Sequence, residues 1–318
     1  MHELVEGTLK GLKRSAAKII TIVENDEPIK KELFAELFPH TGKAYLIGLT
    51  GSPGAGKSSL VDTLTYVIRK QGLKIGIIAV DPSSPFSGGA LLGDRIRMQE
   101  HAADPGVFIR SMGTRGSLGG LARTTKEVIQ VLDAFGCDVV IVETVGVGQS
   151  ELDIMHAVDS TVVVLNPGAG DHIQTIKAGI MEIADIFAVN KADLSGADKV
   201  VTEVEGMLDF GCHADWRPPV LKCSTTNNSG ITDLWDKINE HKTYLENSGL
   251  LQRKREERLR LEVMEHIEAE LQQRIRRRVL DSPEMTEIVS QIGQGQLTPE
   301  KAADHIISLA LEQDCKGR

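Results

Sequence analysis

Cysteine is scarce, an excess of positive charge is missing, and no apolar run is long enough to cross a bilayer. The 318 residues hold four cysteines, Cys137, Cys212, Cys223 and Cys315, scattered without paired spacing. That argues against a disulfide framework and fits thiols kept reduced in a cytosol. Cys212-His213 puts two metal-ligand types side by side, but with no second pair nearby it reads as an ordinary loop. Lys and Arg total 36 against 45 Asp and Glu, a net charge of −9. Bulk attraction to nucleic acid or to anionic lipid is therefore lacking, and a protein or small-molecule partner is the better expectation. The longest apolar runs, such as Lys74–Val80, are strand-length, far short of the roughly 20 residues a spanning helix needs. The opening MHELVEGTLKGLKRSAAKII mixes acids with bases and has no apolar core followed by a small-residue cleavage site. It is expected to be a helix of the mature protein. The lack of an Arg/Ser-rich, acid-poor presequence favours a bacterial cytoplasm, although a processed mitochondrial form would look the same.

What is present falls into three stretches. Leu4, Val5, Thr8, Leu12, Ala16, Ile19, Ile20 and Val23 recur at three- and four-residue intervals, which predicts one helix over Leu4–Val23. Pro28 opens a second helix carrying Leu33, Phe34, Leu37 and Phe38, and Pro39-His40-Thr41-Gly42 ends this extension. From Ala44 to about Glu240 the pattern changes to short apolar runs separated by helical stretches. The runs are Tyr45–Leu49, Ile75–Val80, Val107–Arg110, Val139–Val142, Thr161–Leu165, Ile186–Val189 and Val220–Lys222. Runs without polar alternation suit strands covered on both faces, so the fold class is α/β with a mainly parallel central sheet. Gln252–Val279, dense in Arg, Glu and Leu, predicts a long charged helix. Ser282-Pro283 and Thr298-Pro299 each place a capping residue before a helix-opening proline. The expected organisation is a helical extension over 1–41, an α/β domain over 42–240 and a helical arm over 241–318.

The chemistry concentrates on the ends of these runs. Gly51-Ser52-Pro53-Gly54-Ala55-Gly56-Lys57-Ser58 fits G-x-x-x-x-G-K-[ST] between a strand-like run and a helical stretch. Its glycines let backbone amides turn inward around phosphate oxygens. Lys57 reaches the β- and γ-phosphates, and Ser58 offers a hydroxyl to Mg²⁺. The loop's expected nucleotide contacts are Gly51, Pro53, Gly54, Ala55, Gly56, Lys57, Ser58 and Ser59. Asn190-Lys191-Ala192-Asp193 follows the run Ile186–Val189, at the carboxyl edge where ligands of open parallel sheets bind. A carboxylate such as Asp193 can accept from both the N1–H and the exocyclic amine of guanine, a pair adenine does not offer. Together with the phosphate loop this points to GTP and GDP.

Asp138–Gly146 is a buried run ending in Glu143 and then a glycine. Glu143 is placed to hold Mg²⁺ through water, and the Gly146 amide to approach the γ-phosphate. Asp81, after the run Ile75–Val80, and Asp94 are the other acids expected to face Mg²⁺ or order water. No residue stands out as a general base for hydrolysis.

GSPGAGKSSLVDTL, VDPSSPFSGGALLGDRIRM, FIRSMGTRGSLGGLA, DVVIVETVGVGQSE, NPGAGDHIQTIKAGI and NKAD, in that order, resemble the MeaB/ArgK family, the GTPase chaperones of methylmalonyl-CoA mutase. The resemblance implies a P-loop NTPase G domain that docks on an adenosylcobalamin-dependent acyl-CoA mutase, gates cofactor delivery and helps expel damaged cobalamin. The cobalamin stays on the partner, and the mutase's adenosyltransferase is a second candidate partner. It further implies that Ser58, Asp81, Asp94 and Glu143 serve the metal. Asp171, Gln174 and Lys177 belong to an additional switch, so that Lys57, Asp81, Glu143 and Lys177 form the catalytic set. Ser224 and Thr225 fall in a base-contacting loop, with Thr225 standing where many relatives have Ala. The arm resembles a dimerisation element joining two GTPase cores, against the alternative of a solvated helix folding back on its own domain.

Two other enzymatic readings stay open at this stage. One is a kinase that uses the same loop to phosphorylate a small metabolite or a transport protein. The other is a metal-insertion GTPase, whose relatives usually carry the Cys/His clusters that Cys212-His213 does not supply. A nucleic-acid role fits the acidic charge poorly, and the cluster Arg274, Arg276, Arg277 and Arg278 reads as a solvated face or a partner contact.

Overall fold

A computed structural model describes residues 1–81, 101, 103–113, 123–144, 150–168, 179, 182–210, 215–275 and 283–312. They form two compact units, Met1–Gln252 and Arg253–Arg318.

The first unit is built on seven parallel strands: β1 (Tyr45–Thr50), β2 (Ile75–Asp81), β3 (Val107–Gly113), β4 (Val139–Glu143), β5 (Ser160–Leu165), β6 (Ile186–Val189) and β7 (Val220–Lys222). Their order across the sheet is β3-β2-β4-β1-β5-β6-β7. All pairings are parallel, for example Leu49 with Glu143 between β1 and β4, and Ile47 with Ser160 between β1 and β5. Each expected apolar run is thus a strand, because a run apolar on both faces can be buried on both.

Alternate residues feed two separate cores. Leu46, Ile78, Val80, Val140, Val142, Val163 and Phe187 face one side. Tyr45, Ile47, Leu49, Ile77, Ile141, Val162 and Ile186 face the other. The first side is covered by α1 (Glu3–Leu9), α2 (Lys13–Glu24), α3 (Lys30–Leu37), α5 (Arg123–Ala134) and α7 (Ala197–Phe210), with residues from each in that core. The second side is covered by α4 (Lys57–Lys70) and α8 (Ile231–Asn247). A short helix, α6 (Ser150–Asp153), precedes β5.

The structure departs from expectation at the amino terminus. The single helix expected over Leu4–Val23 is two, because Gly11 adopts φ +77 between α1 and α2. That left-handed backbone closes α1, with Leu12 N donating to Gly7 O at 2.9 Å. The apolar periodicity survives because both helices bury into one core. The compact units also divide differently from the three-part partition at residues 41 and 240. The first 41 residues pack with the sheet, since Val5, Ile19, Ile20, Leu33 and Leu37 are fully buried in the core shared with α5. Ion pairs of Arg110 with Glu24, and of Lys30 with Glu127 at 3.1 Å, tie α2 to β3 and α3 to α5. At the other boundary, α8 runs on to Asn247 with Leu245 buried, so the unit extends to Gln252.

The second unit takes most of α9 (Leu250–Ile275) together with α10 (Pro283–Gly293) and α11 (Pro299–Glu312). Both expected prolines sit at the first helical position, and Lys301 N donates to Thr298 Oγ1 at 3.4 Å. Ile288 and Ala302 are buried, whereas Leu259, Val263, Ile267 and Leu271 of α9 are exposed. Among the described residues no helix is long and apolar enough to cross a membrane.

Candidate functional site

The carboxyl end of the sheet gathers the motifs. β1 runs into the loop Gly51–Gly56, and α4 begins at Lys57. Gly51, Gly54 and Gly56 have φ of +137, +76 and +87. A Cβ on Gly51 would stand 2.1 Å from Val164 O, and one on Gly56 2.4 Å from Asn190 Nδ2. Glycine is therefore required twice over, by the backbone conformation and by the close approach of β5 and of the loop after β6.

Lys57 is buried, and its Nζ donates to Gly51 O at 2.6 Å and Ser52 O at 3.1 Å. The ammonium lies across the mouth of the loop it belongs to, held by carbonyls of the kind a phosphate oxygen can replace. The Ser58 hydroxyl donates to Glu143 Oε1 at 2.6 Å. Glu143 ends β4 beside β1 and β2, in register with Leu49 and Ala79, and is 6% exposed. A hydroxyl and a carboxylate are hard oxygen donors of the kind Mg²⁺ takes alongside water and phosphate. These residues therefore fit a magnesium site. The β2 backbone brings Asp81 to the same end of the sheet.

The side expected to meet the base is assembled from two loops. Asn190 is fully buried, and its Nδ2 donates to Ala55 O at 2.9 Å, bracing the phosphate loop from behind. Lys191, at φ +56, stretches its Nζ to Gly54 O at 2.8 Å. Asp193 is exposed and accepts on Oδ1 from Ser224 Oγ at 2.5 Å, while Ser224 Oγ in turn accepts from Asn227 N at 3.2 Å. The Ser224 bond fixes the rotamer of the carboxylate. Main-chain bonds lock the two loops together: Ala192 N to Cys223 O at 2.9 Å and Cys223 N to Val189 O at 2.8 Å. Thr225 is half-buried in the same turn.

Two contributors escaped the sequence. Gly230, at φ +73, closes the Ser224–Ser229 turn where a Cβ would meet Lys222 O at 2.0 Å. The turn-forming string Asn228-Ser229-Gly230 after a short strand was its signal. Thr144 donates from N to Leu49 O at 3.0 Å and from Oγ1 to Thr50 Oγ1 at 3.1 Å, pinning the chain after Glu143 to β1. A threonine after a strand carries no signal of this. Asp94, Gly146, Asp171, Gln174, Lys177 and Cys212-His213 lie outside the described residues. Among those described, no group of three or more His, Cys, Asp or Glu side chains could hold a metal ion.

Comparison with known proteins agrees with this geometry. Residues 16–279 match the family model described as methylmalonyl Co-A mutase-associated GTPase MeaB. A protein of Pyrococcus abyssi named as a GTPase is 52% identical over 311 residues, covering 96% of each chain. The mouse mitochondrial methylmalonic aciduria type A homolog is 34% identical, covering 96% of this chain and 79% of its own. A crystal structure of a protein called LAO/AO transport system kinase superposes with a TM-score of 0.73 at 28% identity, covering 96% of both chains.

Proposed function

Because the chain belongs to the MeaB family of methylmalonyl-CoA mutase-associated GTPases, we propose that it is a GTP-hydrolysing chaperone. In this role it docks on an adenosylcobalamin-dependent acyl-CoA mutase, gates cofactor loading and protects or reactivates the mutase. The observation that carries the reading is the family match over residues 16–279, and the mouse relative's name points the same way. That the chain is a P-loop GTPase follows from the family and from its relatives.

In the hydrolytic step, water attacks the γ-phosphorus in line, the bond to the β–γ bridging oxygen breaks, and GDP and phosphate leave. Asp193, braced by Ser224, selects guanine. The loop amides cradle the phosphates, and Lys57 exchanges the carbonyls of Gly51 and Ser52 for β- and γ-phosphate oxygens, meeting charge as it develops. Ser58, with Asp81, Asp94 and Glu143, would hold Mg²⁺, which would supply positive charge to the same phosphates. Intrinsic turnover is slow, because no residue in the sequence stands out as a general base, and the partner raises it by acting on the switch segments that hold Gly146, Asp171, Gln174 and Lys177.

The arm is read as the contact between two copies. Leu259, Val263, Ile267 and Leu271 repeat every four residues along α9 and are 43–56% exposed, an apolar stripe on one helical face that a second copy would cover. The kinase reading draws on the name of the solved relative, and the fate of the γ-phosphate separates it.

The test is hydrolysis of GTP, and of ATP as control, by the purified protein alone and with an adenosylcobalamin-dependent acyl-CoA mutase. Acceleration of a slow, GTP-specific rate supports the chaperone reading. An unchanged rate removes the mutase as partner. Label from the γ-phosphate appearing on any product but free phosphate would favour a kinase, and a monomeric mass in solution would rule out the dimer.

A further inference from the structure

The cations of α2 stand where they cost stability. Lys13 and Arg14 open the helix with no acid in its first turn, so both face the positive end of the helix dipole. Lys18 follows Arg14 at four-residue spacing and repels it across the same face. Lys13 is relieved, because its Nζ donates to Asp104 O at 2.6 Å. Arg14 and Lys18 are not: both are exposed, and neither side chain makes an ion pair or hydrogen bond with a described residue. With Arg110 of the edge strand β3 they rim a groove of about 460 Å³, lined otherwise by Leu4, Ala17, Thr21 and Ile22. Leu4, Ala17 and Ile22 are half-buried and pack against the core. The floor is therefore apolar and the rim cationic. Glu24, the only acid of α2, pairs with Arg110, which leaves the rim positive in a chain whose net charge is −9. Residues that break local rules with no structural return mark a functional surface.

We propose that this groove docks an acidic amphipathic helix of the mutase, with apolar side chains on Leu4, Ala17 and Ile22 and carboxylates on Arg14, Lys18 and Arg110. The inference rests on the mutase reading and gives it a contact surface. That surface is separate from the nucleotide site, since β3 lies three strands from β1, which carries the phosphate loop. Charge and shape together select the occupant. An apolar floor beneath charged tips is closed to a flat bilayer, whereas a helix about 10 Å across can enter it. A lone anion would use the cations and leave the floor in water. Apolar anchors one helical turn apart, flanked by acids, satisfy both, as in other helix-in-groove contacts.

The test measures binding of an adenosylcobalamin-dependent acyl-CoA mutase to the full-length protein with GDP bound, the parent against an Arg14→Glu, Lys18→Glu double variant. Both positions are exposed, so the fold is kept. At about 50 mM salt the variant binds about tenfold more weakly, and at about 300 mM the gap narrows to about threefold, because rim charges act through a screened attraction. Arg14→Lys with Lys18→Arg, which keeps both charges, binds as the parent does. Basal GTP hydrolysis and GDP affinity stay within about twofold throughout. A labelled Leu/Glu peptide, helical and apolar on one face, is a probe independent of the mutase. It binds the parent, fails on the Glu variant and outcompetes a scrambled peptide of equal charge. Unchanged mutase affinity and salt response in the Glu variant would overturn the inference, and so would equal binding of the two peptides. A lower solution mass of the Glu variant would make a second copy of this chain the occupant and overturn it too. If the mutase does not bind the parent at all, the mutase reading has failed, and the peptide arm still decides whether the groove takes an acidic helix.

Discussion

The two ends of the sheet both hold charged side chains in hydrogen bonds, and they do it in opposite ways. At the amino end, acids just before strands bind the backbone of the neighbouring strand. Asp138 accepts from Lys74 N at 2.7 Å, Asp159 from Leu46 N at 3.0 Å and Asp185 from Thr161 N at 2.8 Å. Asp133 of α5 takes the amides of Gly42, Lys43 and Ala44 as the chain enters β1. A further chain runs Tyr45 Oη, Ser160 Oγ, His241 Nδ1, with links of 2.5 and 2.6 Å, and burial raises the Tyr45 phenol above its usual range. Every partner there is permanent. At the carboxyl end, Lys57 rests on carbonyls of its own loop and Ser58 on Glu143, arrangements that phosphate and metal can displace. Buried polar groups with fixed partners hold a fold together, whereas those leaning on exchangeable partners mark a site.

The sharpest way to break this contrast is to delete one charge at each end. Lys57→Ala is expected to lower kcat for GTP by about 10²–10³-fold, the scale of losing one preorganised donor in the transition state. Its unfolding temperature stays near that of the parent, because Gly51 O and Ser52 O belong to the same loop as Lys57, so losing those bonds parts no two elements of the sheet. A large loss of stability would place Lys57 with the structural charges instead.

Asp133→Ala should do the reverse. It leaves three amides without their carboxylate, at a cost of about 2–4 kcal/mol for hydrogen bonds to a charged acceptor. In a unit of this size that lowers the unfolding temperature by roughly 5–15 °C, read by calorimetry. At a temperature where the variant is folded, kcat for GTP stays within about twofold. A strong loss of activity without loss of stability would show that the ends are coupled.

The difference also explains what could be read from the sequence. The strands were legible because two-sided burial leaves uninterrupted apolar runs, and Gly51–Ser58 and Asn190–Asp193 because a phosphate and a guanine demand fixed residue types at fixed spacing. Asp159 and Asp185 were not, although each directly precedes a strand. An aspartate that caps a neighbouring strand is set by which strands are adjacent, and adjacency is a tertiary fact. The split of the first helix at Gly11 was missed because apolar periodicity continues across a turn when both helices face one core. The Asn190 amide donates to Ala55 O, a contact the sequence could not show because it exists only once β6 and the phosphate loop are side by side.

A smaller effect sharpens the comparison, because each end carries a thiol. Cys137 lies just before β4 at the amino end, and Cys223 just after β7 at the carboxyl end. Burial, helped by Asp138 beside Cys137 and Asp233 beside Cys223, pushes both up to about 12. In the unfolded chain a thiol ionises near pH 8.5–9, so the folded state holds its protons longer. Stability from this source is complete below that pH and is lost progressively as pH climbs from about 9 toward 12. At pH 8 both thiols are neutral and shielded, and in a Cys212→Ser, Cys315→Ser background alkylation is slow until the protein unfolds. Nucleotide should then separate the ends. Bound GDP braces the loop that joins Ala192 to Cys223 O, so it slows alkylation of Cys223 about tenfold and leaves Cys137 unchanged, read by mass spectrometry of the two peptides. Equal protection of both thiols would mean that ligand tightens the whole unit and that the amino end is not the fixed platform its hydrogen bonds describe.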